Sequence, residues 1–365
     1  MNRDYQICSF CIMDTTDPDI EFDENGVCNH CKKHARLLKD YDFQCEEGKF
    51  AEIADKIREQ GKNQEYDCIA GLSGGVDSTY VAYLGKHQGL RPLAVHLDNG
   101  WDTELSVSNI ECILKNLDID LDTHVIDWNE FRDLQVAFLK ASVVDIELLT
   151  DHAIAAILYD TASKRGIRYI LHGSNIATEG IMPRSWGYYK NDLVNIKAIH
   201  KRFGTVKLKT YPTMGLYKKI YYQYIKKITP VLVLNYIHYD KEEAINTITR
   251  ELGWRAYGYK HYESVFTRFY QSYILPRKFN IDKRKAHLSA LICSGQITRM
   301  EALSEMQKPP YPEAELANDK EYVIKKLELT AEEFEEIMNL PVRNHMDYPS
   351  GLKRYDFLKS VRRLF

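Results

Sequence analysis

Short apolar runs alternate with longer stretches of helical spacing through the first half of the chain. Tyr66-Asp67-Cys68-Ile69-Ala70-Gly71-Leu72 has the character of a strand buried in a parallel sheet. An amphipathic helix at 49–63 leads into it, and Ser78 to His87 follows with apolar residues at helical intervals. The same alternation continues with a strand at Arg91 to Leu97, a helix at 104–116 and a strand at Asp122 to Ile126. Helices at 129–140 and 151–164 then precede a strand at Arg168 to Leu171. This succession predicts an α/β fold with a doubly wound parallel sheet.

From Gly180 the pattern changes. Met182-Pro183-Arg184-Ser185-Trp186-Gly187-Tyr188-Tyr189-Lys190 reads as an irregular aromatic and basic loop, followed by Lys201-Arg202-Phe203-Gly204 and Lys207-Leu208-Lys209. Such a segment either closes over a nearby anion site or is solvated surface. Helical spacing resumes at 216–228, 241–252, 262–271, 282–292 and 298–306. Pro309-Pro310-Tyr311-Pro312 breaks the helices, and a short acidic helix near 331–338 follows. The expected organisation is a small cysteine-bearing module at 1–40, a strand–helix domain at 41–215, and a mainly helical region at 216–365 for substrate or partner binding.

The first strand and its helix are joined by Ser73-Gly74-Gly75-Val76-Asp77-Ser78. Two glycines let backbone N–H groups point into a concavity, and the helix N-terminus adds partial positive charge. Ser73 and Ser78 add hydroxyl donors, so the turn is suited to an anion. It is not a Walker loop, since no Lys follows the glycines, nor a spaced-glycine dinucleotide fingerprint. Asp77 would repel a bound triphosphate unless a cation lay between them, which implies Mg²⁺ held by that carboxylate. The plainer alternative is a glycine turn with Asp77 as helix cap.

In parallel sheets, ligands lie beyond the carboxyl ends of the strands. Leu97, Asp98 and Asn99 therefore fall near a nucleotide, although Asn99-Gly100 is also a turn signal. His172-Gly173-Ser174-Asn175 ends the last strand and should abut the loop. Asp145, Glu147, Asp151 and His152 surround a helix start, where acids either serve a metal or ammonia or complement the helix dipole. Arg277-Lys278 and Lys283-Arg284-Lys285 form a basic strip that suits a diphosphate, a sugar carboxylate or RNA, or is simply solvated.

Four of the eight cysteines fall as Cys8-x2-Cys11 and Cys28-x2-Cys31, with 16 residues between the pairs. That spacing fits a closed, structural zinc site in a module too short to fold on apolar burial alone. His30 or His34 are possible substitutes for one ligand, and disulfides are the other use of such pairs. Cys45, Cys68, Cys112 and Cys293 form no pair by spacing. A net charge of −3 gives no reason to expect nucleic acid. No apolar run approaches membrane-spanning length, Pro230-Val231-Leu232-Val233-Leu234 being the best. With no apolar leader, a cytoplasmic location is expected.

Ser73 to Ser78 looks like the pyrophosphate-binding loop of the N-type ATP pyrophosphatases, implying an adenine nucleotide alpha hydrolase-like (PP-loop) sheet. Three kinds of chemistry use this loop. Thiolation of tRNA wants a convergent sulfur set that Cys68, Cys112 and Cys293 do not present by spacing. A self-contained glutamine amidotransferase such as asparagine synthetase wants its own glutaminase domain, with a nucleophilic cysteine at position two. Here Asn2 stands there, so ammonia has to come from elsewhere. A zinc-ribbon binding protein with an inactive nucleotide domain is the non-enzymatic alternative.

Across nearly its full length the chain resembles the N-acetyl sugar amidotransferases of bacterial lipopolysaccharide O-antigen and flagellin sugar pathways. The resemblance is carried by the four amino-terminal cysteines, Ser73 to Ser78, Leu97-Asp98-Asn99-Gly100-Trp101, His172-Gly173-Ser174-Asn175, and Lys260-His261-Tyr262-Glu263-Ser264 through Ile281-Asp282-Lys283-Arg284. It implies ATP, Mg²⁺ and structural Zn²⁺ as cofactors. Ser73, Gly74, Gly75 and Ser78 would meet the pyrophosphate and Asp77 the magnesium, with Ser73, Asp77 and Ser78 as the catalytic group. The implied substrate is an N-acetylated sugar nucleotide or nonulosonic acid. The implied partners are a separate glutaminase and an ammonia-channelling barrel like the subunits of imidazole glycerol phosphate synthase.

Overall fold

Cys68–Gly71 (β1), Pro92–Asp98 (β2), Leu121–Val125 (β3), Tyr169–His172 (β4) and Thr229–Leu232 (β5) pair in parallel in the order β3-β2-β1-β4-β5. The computed structural model describes residues 4–44, 48–258 and 262–356. Cys45, Lys260 and His261 lie outside the described residues. In chain order the helices are α1 (Asn29–Gln44), α2 (Lys49–Gly61), α3 (Val76–His87), α4 (Glu104–Leu117), α5 (Trp128–Ala141), α6 (Leu148–Arg165), α7 (Ile176–Glu179), α8 (Leu193–Phe203) and α9 (Leu216–Ile220). Then come α10 (Lys241–Leu252), α11 (Val265–Phe269), α12 (Leu275–Phe279), α13 (Arg284–Cys293), α14 (Arg299–Gln307), α15 (Glu313–Lys326) and α16 (Ala331–Asn339).

Period-two alternation sends the strand side chains to two faces. Ile69, Leu93, Val95 and Leu97 join Leu148, Leu149, Ala153 and Ala156 of α6. Cys68 and Leu171 join Val81 of α3 and Phe50 and Ile57 of α2 on the other face. Helices therefore cover both sides, as a doubly wound sheet requires. The first face belongs to a core that runs without a break from the amino-terminal cysteines to Phe269, Phe334 and Ile337 of the carboxy-terminal helices. Among the described residues, no helix is long and apolar enough to cross a membrane.

Three elements were hidden from the pattern. β5 lies inside the run Pro230 to Leu234 and extends the sheet past residue 215. Only four residues long, it carries a proline, which an edge strand tolerates. α8 occupies part of the stretch expected to be irregular. Asp192 caps it by accepting from the backbone of Val194 and Asn195, and Ile196 and Ile199 are buried. α15 begins directly after Pro312, so the proline run starts a helix as well as ending one. The aromatic helix expected at 262–271 starts at Val265, capped by Ser264, and continues through a π-helical turn at Tyr270–Ile274 into α12.

Candidate active site

The chain leaves β1 for β2 and β3 on one side, then returns to β4 on the other. The switch point of the topology is thus between β1 and β4, where an open α/β sheet forms its ligand crevice. Ser73 to Ser78 follows β1, and Gly173 follows β4, whose last residue is His172. Gly75 stands at the N-cap of α3, so Asp77 lies inside the first turn and does not cap it. Gly74 has φ +77, and a side chain there would come within 2.9 Å of the Ser106 carbonyl. Both demands select glycine.

The two serine hydroxyls sit 3.2 Å apart across the mouth of the turn, and the Ser73 N–H donates to Ser78 Oγ at 3.3 Å. The Gly75 N–H is turned toward Ser73 Oγ at 3.4 Å. Ser73 is exposed, while Gly75, Asp77 and Ser78 are half-buried. The donors therefore converge on a cradle open to solvent. Beneath it, His96 of β2 bonds the Leu72 carbonyl at 2.8 Å through Nδ1 and Asp102 at 3.0 Å through Nε2. Burial disfavours a charged ring here, but Asp102 and the carbonyl prevail and raise the His96 pKa. Acceptors at both ring nitrogens favour the doubly protonated form, so this setting stabilises a positive charge next to the loop.

Asp77 Oδ1 accepts from the Tyr239 hydroxyl. Burial raises the Tyr239 phenol, and Asp77 and Glu179 raise it further. Glu179, at the end of α7, is thus a second carboxylate close to the same phenol. No spacing in the sequence linked it to the loop. An all-oxygen set with two carboxylates suits Mg²⁺. Asp77 would hold that ion, which would supply neutralisation of phosphate charge. Gly173 presses on the helix start: a Cβ there would lie 3.1 Å from the Asp77 carbonyl carbon and 3.2 Å from the Ser78 nitrogen. Gly173→Ala is expected to raise the KM for ATP about fivefold by pushing that backbone, with little change in KM for the acceptor; equal values for both proteins would show the contact is slack.

Asp98 is half-buried at the end of β2, and its carboxylate turns back to accept from the Gly100 N–H at 2.9 Å. Leu97 is buried in the sheet. Asn99 reaches Thr150 at the start of α6, which brings that helix end to the strand ends. There Asp145, 1% exposed, holds Lys190 at 2.8 Å, and Lys190 also pairs with half-exposed Asp151 at 3.0 Å. Burial alone would raise the Asp145 carboxyl, but Lys190 and Lys283 hold it below its usual value. His152 is buried between the Lys190 carbonyl and the Met214 N–H. These acids are therefore ion-paired.

Most of the basic strip is committed to partners within the chain, although Arg277 is exposed. Lys283 pairs with Glu147 at 3.0 Å, Arg284 with Asp282 at 2.7 Å and Lys285 with Asp14 at 2.5 Å. Lys278 donates to the carbonyls that end α16, and Arg277 lies over the Tyr273 ring. Arg202, expected from an irregular loop, stacks instead on Phe203 and Tyr348.

Cys8, Cys11, Cys28 and Cys31 are all buried and gather their sulfurs within 4.8 Å of one another. The separations are 3.9 Å for Cys8–Cys31, 3.8 Å for Cys11–Cys28 and 3.6 Å for Cys28–Cys31. Zinc–sulfur bonds of about 2.3 Å in a tetrahedron put sulfurs about 3.8 Å apart, so the cluster has the dimensions of a Cys₄ zinc site. Backbone N–H groups of Cys11, Met13 and Cys28 point at the sulfurs, as suits thiolates. His30 is committed to Asp17 and His34 to the Ile176 carbonyl, so neither replaces a cysteine. Cys293, unpaired by spacing, approaches Cys31 at 3.7 Å because α13 packs on the module.

Residues 49–219 match the NAD synthase family, and residues 263–362 match the LPS biosynthesis protein WbpG-like, C-terminal domain family. Among solved structures, the NH3-dependent NAD synthetase of Campylobacter jejuni, in complex with the nitrate ion, is 22% identical with a TM-score of 0.30, covering 56% of this chain and 85% of that one. The NMN synthetase of Francisella tularensis is 14% identical with a TM-score of 0.29, covering 62% of this chain and 88% of that one. No curated protein matches the chain. The nucleotide domain is that of a PP-loop protein of the NAD synthase type, a fold that implies ATP and Mg²⁺. More particularly, residues 263–362 match the carboxy-terminal domain of WbpG-like lipopolysaccharide biosynthesis proteins, so the chain joins an NAD synthase-type domain to a WbpG-like one.

Proposed function

We propose that the chain is an AMP- and pyrophosphate-forming amidotransferase that converts a sugar N-acetyl group to an acetamidino group in bacterial surface polysaccharide or flagellin glycan assembly. One juxtaposition carries the reading. The WbpG-like domain is tied to the segment that follows β2, on the same side of the sheet as the phosphate loop. Thr103 N–H donates to the Glu263 carbonyl at 3.0 Å and Val265 N–H to the Trp101 carbonyl at 2.9 Å. A lipopolysaccharide-type domain thus borders the crevice where ATP would react.

An amide carbon is a poor electrophile, which is the chemical reason to involve ATP. The acetamido oxygen attacks the α-phosphorus, forming an O–P bond as pyrophosphate leaves. Ammonia adds to the carbon of the O-adenylyl imidate, AMP departs with the oxygen, and the acetamidino group remains. Ser73, Gly74, Gly75 and Ser78 align and neutralise the leaving pyrophosphate, with Asp77 as magnesium ligand. Leu97, Asp98, His172 and Gly173 border the nucleotide. Ammonia comes from a separate glutaminase through a barrel partner, and the acceptor is an N-acetylated sugar nucleotide or nonulosonic acid.

Incubation with Mg·ATP, high ammonium and a panel of N-acetyl sugar nucleotides is expected to yield a product lighter by a single mass unit, oxygen having been exchanged for NH. AMP and pyrophosphate should appear in step with it. ATP turnover without that mass change on any acceptor would sink the amidination reading. Sulfur placement disfavours tRNA thiolation: Cys68 is buried within the sheet and Cys293 packs against Cys31 of the cysteine module.

A further inference from the structure

The carbonyl of Gly74 accepts two hydrogen bonds from one short segment outside the phosphate-loop motif. Trp254 Nε1 donates at 2.8 Å and the Tyr257 hydroxyl at 3.0 Å. The segment leaves α10 through Gly253, whose φ of +66 turns the chain back toward the sheet. Trp254, 1% exposed, enters the core beside Leu72, Ile110 and Ile248. Asn109 of α4 then grips Arg255 on both sides, its amide donating to the Arg255 carbonyl and its oxygen accepting the Arg255 N–H, each at 2.9 Å. The Trp254 and Tyr257 rings meet edge to face at 5.6 Å. Burial raises the Tyr257 phenol, which keeps it a donor at any physiological pH.

A trans peptide carries its C=O and the next N–H in opposite directions. Fixing the Gly74 carbonyl therefore fixes the Gly75 N–H, which faces the serine side of the cradle. Gly74 at positive φ, followed by another glycine, is a linkage that flips cheaply. A flip would aim a carbonyl oxygen at the phosphates in place of an N–H, exchanging attraction for repulsion. We propose that Trp254 and Tyr257 are positioning residues that lock the Gly74–Gly75 peptide in its phosphate-accepting orientation. The inference rests on the nucleotide reading of the loop. It explains why a buried indole N–H and a phenol converge on one carbonyl that an isolated strand–turn–helix would leave to solvent.

Tyr257→Phe keeps the ring and removes only the donor, whereas Trp254→Phe removes the donor together with the five-membered ring of a buried side chain. Binding of Mg²⁺ with α,β-methylene-ATP, followed by calorimetry, tests the loop without a known acceptor. Each single variant is expected to bind about fivefold more weakly and the double variant about thirtyfold, one net hydrogen bond at a time. A purely structural role would lower the melting temperature but leave the affinity of the folded protein unchanged. A folded double variant that binds like the native chain overturns the proposal. Should Trp254→Phe not fold, half-buried Tyr257→Phe alone decides: fivefold weaker binding supports the lock and equal binding overturns it. A native chain that binds no analogue would bring down the nucleotide reading and this inference together.

Discussion

Asp77→Asn is expected to lower ATP-dependent pyrophosphate release at least a hundredfold while leaving the fold intact. The substitution keeps the size of the side chain and an oxygen that can accept from Tyr239, so packing around α3 is retained. It removes the one carboxylate in the loop, the proposed ligand of a divalent cation held against the phosphates. Preorganised electrostatic groups of this kind contribute about 3–4 kcal/mol to a transition state. Pyrophosphate release measured across a magnesium titration distinguishes the roles. A variant limited by metal affinity recovers part of its rate as Mg²⁺ rises, whereas loss at every concentration means the charge acts in turnover. Native turnover at native Mg²⁺ levels would remove Asp77 from the site. The half-buried position makes a large stability change unexpected, and circular dichroism should match the native chain.

The second large effect is expected from the cysteines. Cys28→Ser, or extraction of metal by a strong chelator, is expected to lower the melting temperature by about 10 °C or more, and activity with it. A structural zinc contributes about 10–16 kcal/mol to folding in isolated peptides, and only a fraction need be lost here for such a shift. The module is tied to the rest of the chain at several points. Arg299 donates to the carbonyls of Cys11 and Cys8 at 3.0 and 3.1 Å. Lys285 pairs with buried Asp14, and the Ser289 hydroxyl accepts from the Ile12 N–H. His34 holds the Ile176 carbonyl at 2.8 Å, just beyond His172-Gly173. Loosening the module therefore loosens α13, α14 and the strand-end turn together. Metal analysis should find one zinc per chain. Metal-free protein with an unchanged melting temperature would overturn the assignment.

Local chemistry made much of this molecule legible in advance. A strand, two glycines and a helix in direct succession determine their own geometry, so the loop could be read from consecutive residues. Paired cysteines announce themselves by spacing for the same reason. What stayed hidden depends on residues far apart in the chain. Tyr239 reaches Asp77 across 162 positions, and Trp254 reaches Gly74 across 180. Glu179 stands on a four-residue helix with no periodicity to reveal it. The basic strip misled because a run of Lys and Arg has the same appearance whether its partners are solvent or buried acids. Glu147 and Asp14, the partners of Lys283 and Lys285, precede them by more than a hundred residues. β5 was obscured by its proline, and α8 by its position among loop-like neighbours.

The unbroken apolar interior from Cys8 to Ile337 has a mechanical consequence. Among the described residues no weak seam separates the carboxy-terminal helices from the sheet, because a hinge there would wet a large continuous surface. Reactants must then enter and leave by rearrangement of the surface segments around the strand ends, with the body of the molecule stationary. Turnover would be paced by small excursions of those rims, and a rigid frame would keep the reacting groups in register from one cycle to the next.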